Sequence, residues 1–163
     1  MDFKGLIGNI DTGFDAVVQH GSGASCASPV RGIFAGGNPG ATNVISYITI
    51  QTLGATADFG DLSRGANEGP SMASNSVRGI YFCGEDPGSN VNTIDFITIA
   101  TLGNAQDFGD SSYVSKAHMS TSSSTRAVKA GGGNPATPLN TMSFVQIMTT
   151  GDAQDFGDLT SGG

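Results

Sequence analysis

Asp58-Phe59-Gly60-Asp61 returns twice along the chain, as Asp107-Phe108-Gly109-Asp110 and Asp155-Phe156-Gly157-Asp158. The copies start 49 and 48 residues apart. A period of about 50 residues is the signature of stacked or radial β units. A motif present in triplicate also argues against a single catalytic centre built on it.

Other landmarks keep the same register. Arg31-Gly32-Ile33-Phe34, Arg78-Gly79-Ile80-Tyr81 and Arg126-Ala127-Val128-Lys129 lie 47 and 48 residues apart. Each precedes a glycine-rich turn with a proline: Gly36-Gly37-Asn38-Pro39, Gly84-Glu85-Asp86-Pro87 and Gly132-Gly133-Asn134-Pro135. An asparagine and a run of strand formers follow, at residues 43–50, 92–99 and 140–147. Four landmarks at one spacing establish the repeat.

Composition agrees. At 163 residues the chain is one domain by length, able to bury roughly two-thirds of its unfolded surface. Charged residues make up 13%, against about 25% in an average soluble domain, and glycine accounts for 25 positions. Glycine, asparagine and β-branched residues are weak helix formers. No stretch sustains apolar residues at three-and-four spacing, so the fold class is all-β with almost no helix.

The formal charge of −7 excludes nucleic acid, whose backbone calls for clustered Lys and Arg. Residues 32–57 carry no charge, but their Gly, Asn, Pro, Ser and Thr exclude a membrane helix. Met1-Asp2-Phe3-Lys4 opens no signal peptide, which predicts synthesis in a cytoplasm and a soluble product. Cys26 and Cys83 occupy unmatched repeat positions and read as free thiols on strands in a reducing compartment.

Each unit offers three strands. The first covers residues 30–35 in unit one, the second is the Asn-initiated run, and a short third lies near the Asp-Phe-Gly-Asp motif. In the second, Ile45 and Tyr47 point one way while Ile48 and Ile50 point the other. The split recurs as Ile94 and Phe96 against Ile97 and Ile99, then Met142 and Phe144 against Val145 and Ile147. Apolar residues on both faces predict a sheet held between neighbouring sheets.

Residues 62–77 and 111–125 are polar and weakly patterned. Asp15 precedes Arg31 by 16 residues, as Asp110 precedes Arg126, so Gly13-Phe14-Asp15 reads as the tail of a drifted motif. The units then run over approximately 15–61, 62–110 and 111–158, within a domain at 15–163. Such an offset lets a first strand complete the last sheet of a closed radial fold.

The order Arg-Gly-Ile-Phe-Ala-Gly-Gly, Asn-x-Ile-x-Tyr-Ile-Thr-Ile, glycine turn and Asp-Phe-Gly-Asp-Leu resembles a kelch repeat, with Phe59, Phe108 and Phe156 where kelch blades carry tryptophan. More closely, residues 92–99 and 155–160 are similar to the kelch-like repeats of virion proteins from tailed phages, the marine cyanophage type. The resemblance spans roughly residues 15–160. It departs in having no tryptophan and three units, where propellers have four to eight blades. Two architectures remain: three small antiparallel sheets closing in one chain about a pseudo-threefold axis, propeller-like or β-prism-like, or two chains pooling their blades in a six-bladed ring. Closure within one chain is favoured because it exposes no sheet edge.

Asp-Phe-Gly is also a kinase signature, but its companion motifs are missing. The paired motif carboxylates (Asp58 and Asp61, Asp107 and Asp110, Asp155 and Asp158) raise calcium, yet two per site are too few alone for a hard cation. The structural reading puts the Phe in the core, the Gly in a conformation closed to other residues, and the carboxylates on turn amides. Arg31, Arg78 and Arg126 are expected to bridge the motif carboxylates by bidentate bonds. His20 and His118 read as surface residues. Gly21-Ser22-Gly23-Ala24-Ser25 lacks the closing glycine of a hydrolase elbow, and Gly131-Gly132-Gly133 lacks the lysine and helix of a phosphate loop. No enzyme, cofactor or metal site is expected.

The resemblance implies a structural protein on a phage particle, located on the virion surface. The leading expectation is a knob-like decoration protein bound to the major capsid protein or another virion protein. A tail-fibre or host-glycan-binding attachment module is the alternative, and a homo-oligomer is compatible with both. Residues 1–14 are expected to form an attachment segment, with Phe3, Leu6, Ile7 and Ile10 as its contact residues.

Overall fold

The computed structural model describes residues 23–37, 40–66, 68–86, 88–134 and 137–162. The attachment segment with Phe3, Leu6, Ile7 and Ile10 lies outside them, as do Gly13-Phe14-Asp15 and His20. Among the described residues all regular secondary structure is β.

Each repeat folds into one four-stranded antiparallel meander. Sheet one takes β1 (Ala24–Ala27), β2 (Arg31–Ala35), β3 (Val44–Thr49) and β4 (Ala57–Asp61) in that order. Sheet two is built from β5 (Ser71–Ser74), β6 (Arg78–Phe82), β9 (Thr93–Thr98) and β10 (Gln106–Asp110). Sheet three holds β11 (Met119–Ser122), β12 (Arg126–Ala130), β15 (Thr141–Gln146) and β16 (Gln154–Asp158). Two glycine-proline turns carry small hairpins, β7 (Glu85–Asp86) with β8 (Ser89–Asn90) and β13 (Gly133–Asn134) with β14 (Thr137–Pro138).

The repeated landmarks have local causes. Three residues before each arginine a polar side chain accepts its amide: Ser28 Oγ from Arg31 at 3.0 Å, Asn75 Oδ1 from Arg78 at 2.8 Å, Ser123 Oγ from Arg126 at 3.1 Å. Such side chains close the tight turn between a sheet's first and second strands. The repeated asparagines act through their backbone. The carbonyls of Asn43, Asn92 and Asn140 accept the amides of Leu62, Ser111 and Leu159, each at 2.7 Å, and so pin the residue after each motif.

The motif itself is a β-bulge. Asp58 faces Ser46 and Gly60 faces Ile45, leaving Phe59 as the extra residue; sheets two and three repeat the shift. The bulge glycines Gly60, Gly109 and Gly157 sit at φ of 147°, 142° and 122°, a region that disfavours a Cβ.

Two expectations need correction. The segments read as weakly patterned, residues 62–77 and 111–125, supply β5 and β11, and the stretch before Arg31 supplies β1, so each sheet gains a fourth strand whose short Ser- and Ala-rich sequence shows no clear alternation. Each pairs with the arginine strand that follows it, so β1 belongs to sheet one, and among the described residues no strand from the start of the chain joins the last sheet.

The sheets stack in chain order, with an apolar seam at each junction. Ile33, Ile45 and Phe59 of sheet one meet Met72, Tyr81, Ile97 and Ile99 of sheet two. The opposite face of sheet two, with Ile80, Phe82, Ile94, Phe96 and Phe108, meets Ala127, Val145 and Ile147 of sheet three. Sheet two is thus covered on both faces, as its two-faced strands predict. Closure of sheet three onto sheet one is not seen among the described residues, where the clusters and inter-sheet hydrogen bonds join one to two and two to three.

Candidate functional site

The repeated residues converge on the seams. At each junction the motif carbonyls accept amides from the loop of the next sheet: Phe59 from Gly103 and Asp61 from Ala105, then Phe108 from Gly151 and Asp110 from Ala153, all at 2.8 Å. Asn104 Oδ1 and Asp152 Oδ1 accept the amides of Asp61 and Asp110 at 3.1 and 3.0 Å. The backbones touch: a Cβ on Gly60 would lie 2.5 Å from the carbonyl carbon of Gly103, and one on Gly109 would lie 2.6 Å from that of Gly151. The glycine therefore serves close approach as well as the bulge.

The arginines belong to the same device, and not as expected. Arg31 Nη1 donates to the carbonyl of Ile99 at 2.7 Å, and Arg78 Nη1 to that of Ile147 at 3.2 Å. The guanidinium groups lie over Tyr47, Phe96 and Phe144 at 4.9, 4.5 and 4.7 Å from the ring centroids. Those rings meet Phe59, Phe108 and Phe156 edge-on, with centroids 5.8–6.1 Å apart. Each unit thus contains an arginine–aromatic–phenylalanine stack. The expected Arg–Asp bridges do not form, because the aromatic on the neighbouring strand holds the guanidinium while Asp58, Asp107 and Asp155 point to solvent on the motif strands. The signal was present in sequence: Tyr47, Phe96 and Phe144 recur at the repeat spacing.

Carboxylates act elsewhere. Asp155 Oδ1 accepts the Gly157 amide at 3.3 Å, a turn bond of the expected kind. Buried Asp95, its carboxyl pushed up by burial, holds the amide and hydroxyl of Ser63 at 2.9 and 2.8 Å, tying down the linker to sheet two. Lys116 bridges Glu68 at 2.8 Å and Glu85 at 2.6 Å, and the two carboxylates raise its pKa. Arg64 pairs with Asp86 at 3.2 Å. Among the described residues no three His, Cys, Asp or Glu side chains converge as a metal site would need.

His118 is buried, contrary to its surface reading. Its Nδ1 lies 3.3 Å from Ser115 Oγ and its Nε2 lies 3.3 Å from the Phe82 carbonyl. Donation from Nε2 to that carbonyl leaves Nδ1 to accept the serine proton. Burial, with Lys129 nearby, pushes the imidazole down to about 3, so the pair is a poor base at neutral pH. Lys129 is fully buried, donating to Ser111 Oγ at 3.4 Å and the Tyr113 carbonyl at 3.1 Å, its ammonium 4.4 Å from the Tyr113 ring centroid. Cys26 and Cys83 are free, and burial pushes both thiols up to about 12, away from nucleophilic use.

Two open clefts repeat at equivalent places. One, of about 350 Å³, is lined by Phe96, Thr98, Thr101, Asn104 and Gln106; the other, of about 220 Å³, by Phe144, Gln146, Thr149, Asp152 and Gln154. Comparison with known proteins found no family model that matches this chain and no curated relative.

Proposed function

We propose that this chain is a non-enzymatic structural protein of a tailed-phage particle, a decoration protein seated on the capsid surface. Its three sheets are read as blades of a kelch-like, propeller-type assembly. One observation carries the proposal: the repeated residues that the phage-type resemblance rests on are engaged in stacking sheet on sheet. Phe59, Phe108, Arg31 and Arg78 bind neighbouring backbone and rings, and among the described residues no repeated polar groups converge on a reacting centre. The low charge and β-rich build suit an exposed particle surface.

Quantitative mass spectrometry of purified particles tests this. Copies comparable in number to the major capsid protein are the expected result. A number far below the capsid subunits moves the chain to the tail, and absence from particles overturns the proposal.

The repeated clefts favour one second reading, a host-glycan-binding module. Their amides and hydroxyls suit sugar hydroxyls, although the ring faces of Phe96 and Phe144 are already covered by Arg78 and Arg126. A glycan array without a binder counts against it.

A further inference from the structure

The two seams are one interface used twice, and among the described residues its two halves have no covering sheet at the ends of the stack. Sheet three offers the motif side. Phe156 is 47% exposed, while its counterparts Phe59 and Phe108 are 3% and 2% exposed. Met142 and Phe144 beside it are only half-buried, and the Arg126 guanidinium has no hydrogen-bond acceptor among the described residues, although it still lies over Phe144. Sheet one offers the receiving side. Ile50 is 52% exposed, while Ile99 and Ile147, whose carbonyls take the arginines in the two formed seams, are 1% and 0% exposed. Phe34 and Ile48 extend the same face, half-buried where Tyr81 and Ile97 are buried. The amides of Gly54 and Thr56, equivalent to those of Gly103 and Ala105, have no partner among the described residues.

We infer that sheet three of one chain docks on sheet one of a second copy, forming the same seam a third time. Phe156 and Arg126 would meet the Ile50–Thr56 loop of the partner copy. The occupant is a second copy because this chain already builds the interface twice from these residues, and because stacked repeats that stop at a monomer end in polar caps. Among the described residues both ends instead present apolar side chains, Phe156 on sheet three and Ile50 on sheet one. One contact is weaker: Ala55 replaces Asn104 and Asp152, so the side-chain bond to the motif amide is missing. The contact is head-to-tail, which closes into a ring or extends into a filament according to the rotation between copies. It goes beyond the virion proposal and does not depend on it.

The test uses the full chain, with mass measured by light scattering from low to high micromolar concentration. The wild type is expected well above its 16.4 kDa monomer mass. Phe156→Lys and Ile50→Lys, each on one open face, are each expected to be monomeric with near-native melting. Mixed in equal amounts they should form a dimer, because each variant retains the face the other has lost. Arg126→Glu serves as a second variant on the sheet-three face. A wild type that stays monomeric overturns the inference. If Phe156→Lys then also lowers the melting temperature, the chain's own residues 1–22 cover the face; if it does not, the face serves a different protein. Variants that associate like wild type, or a mixture that stays monomeric, overturn it equally.

Discussion

Lys129 takes the place in sheet three that Tyr81 holds in sheet two, facing the previous sheet from the second strand. An ammonium group there is costly, since burial disfavours the charged form, and its pKa falls from 10.5 to about 8. The groups around it are Tyr113, its tyrosyl pKa raised to about 12 by burial, His118, kept neutral, and Cys83. The sign follows from proton uptake. Between pH 8 and 10.5 the unfolded lysine holds its proton more fully than the folded one, so this residue's contribution to stability rises with pH across that window. Buried thiols and tyrosines act oppositely at high pH, so a difference is needed. The unfolding free energy of wild type minus that of Lys129→Met should rise by on the order of 3 kcal/mol from pH 7 to pH 10.5, read by urea denaturation. A flat difference would show that Lys129 reaches water.

At the scale of the element, the motif strand is a bulged edge strand whose phenylalanine is aimed into whatever lies beyond its sheet. For β10 that is sheet three, and for β16 it is solvent. Phe108→Ala should therefore cost about 3–5 kcal/mol, because it opens a cavity in a formed seam. Phe156→Ala, at a concentration where the chain is monomeric, should cost under about 1 kcal/mol, as for an exposed position. Chemical denaturation of the two variants decides it, and equal losses would mean that Phe156 is covered. The motif strand and its bulge glycine could be read in the sequence, because a glycine beside a large aromatic recurs at one spacing. The aromatic partner of the arginine could not be assigned so easily. Cross-strand pairing places Arg78 opposite Thr98, and the guanidinium then reaches two residues along its partner strand to Phe96.

Over the whole molecule, sheets that contact neighbours in a row share stability by nearest-neighbour terms. Sheet two has two such neighbours. Its central strands β6 and β9, with Ile80, Phe82, Ile94 and Ile97 buried on alternate faces, should show the slowest amide exchange in the chain. Exchange in β1 and β16, at the open ends, should be the fastest among the strands. Equal protection across the three sheets would indicate a chain whose ends are covered.

The repeat, its all-β class, three of the four strands in each sheet and the special conformation of the motif glycine were legible in the residues, because period, alternation and turn chemistry act over a few residues and are written in order along the chain. The expected Arg–Asp bridges and the surface reading of His118 came from the same local view and could not see neighbours. What the tertiary structure decided is which copy of each repeated residue is covered. Phe59, Phe108 and Phe156 share one motif, yet the first two are buried and the third is exposed. Identical local sequence makes identical strands, but burial depends on the next sheet in the stack. The last motif has no following sheet among the described residues of its own chain.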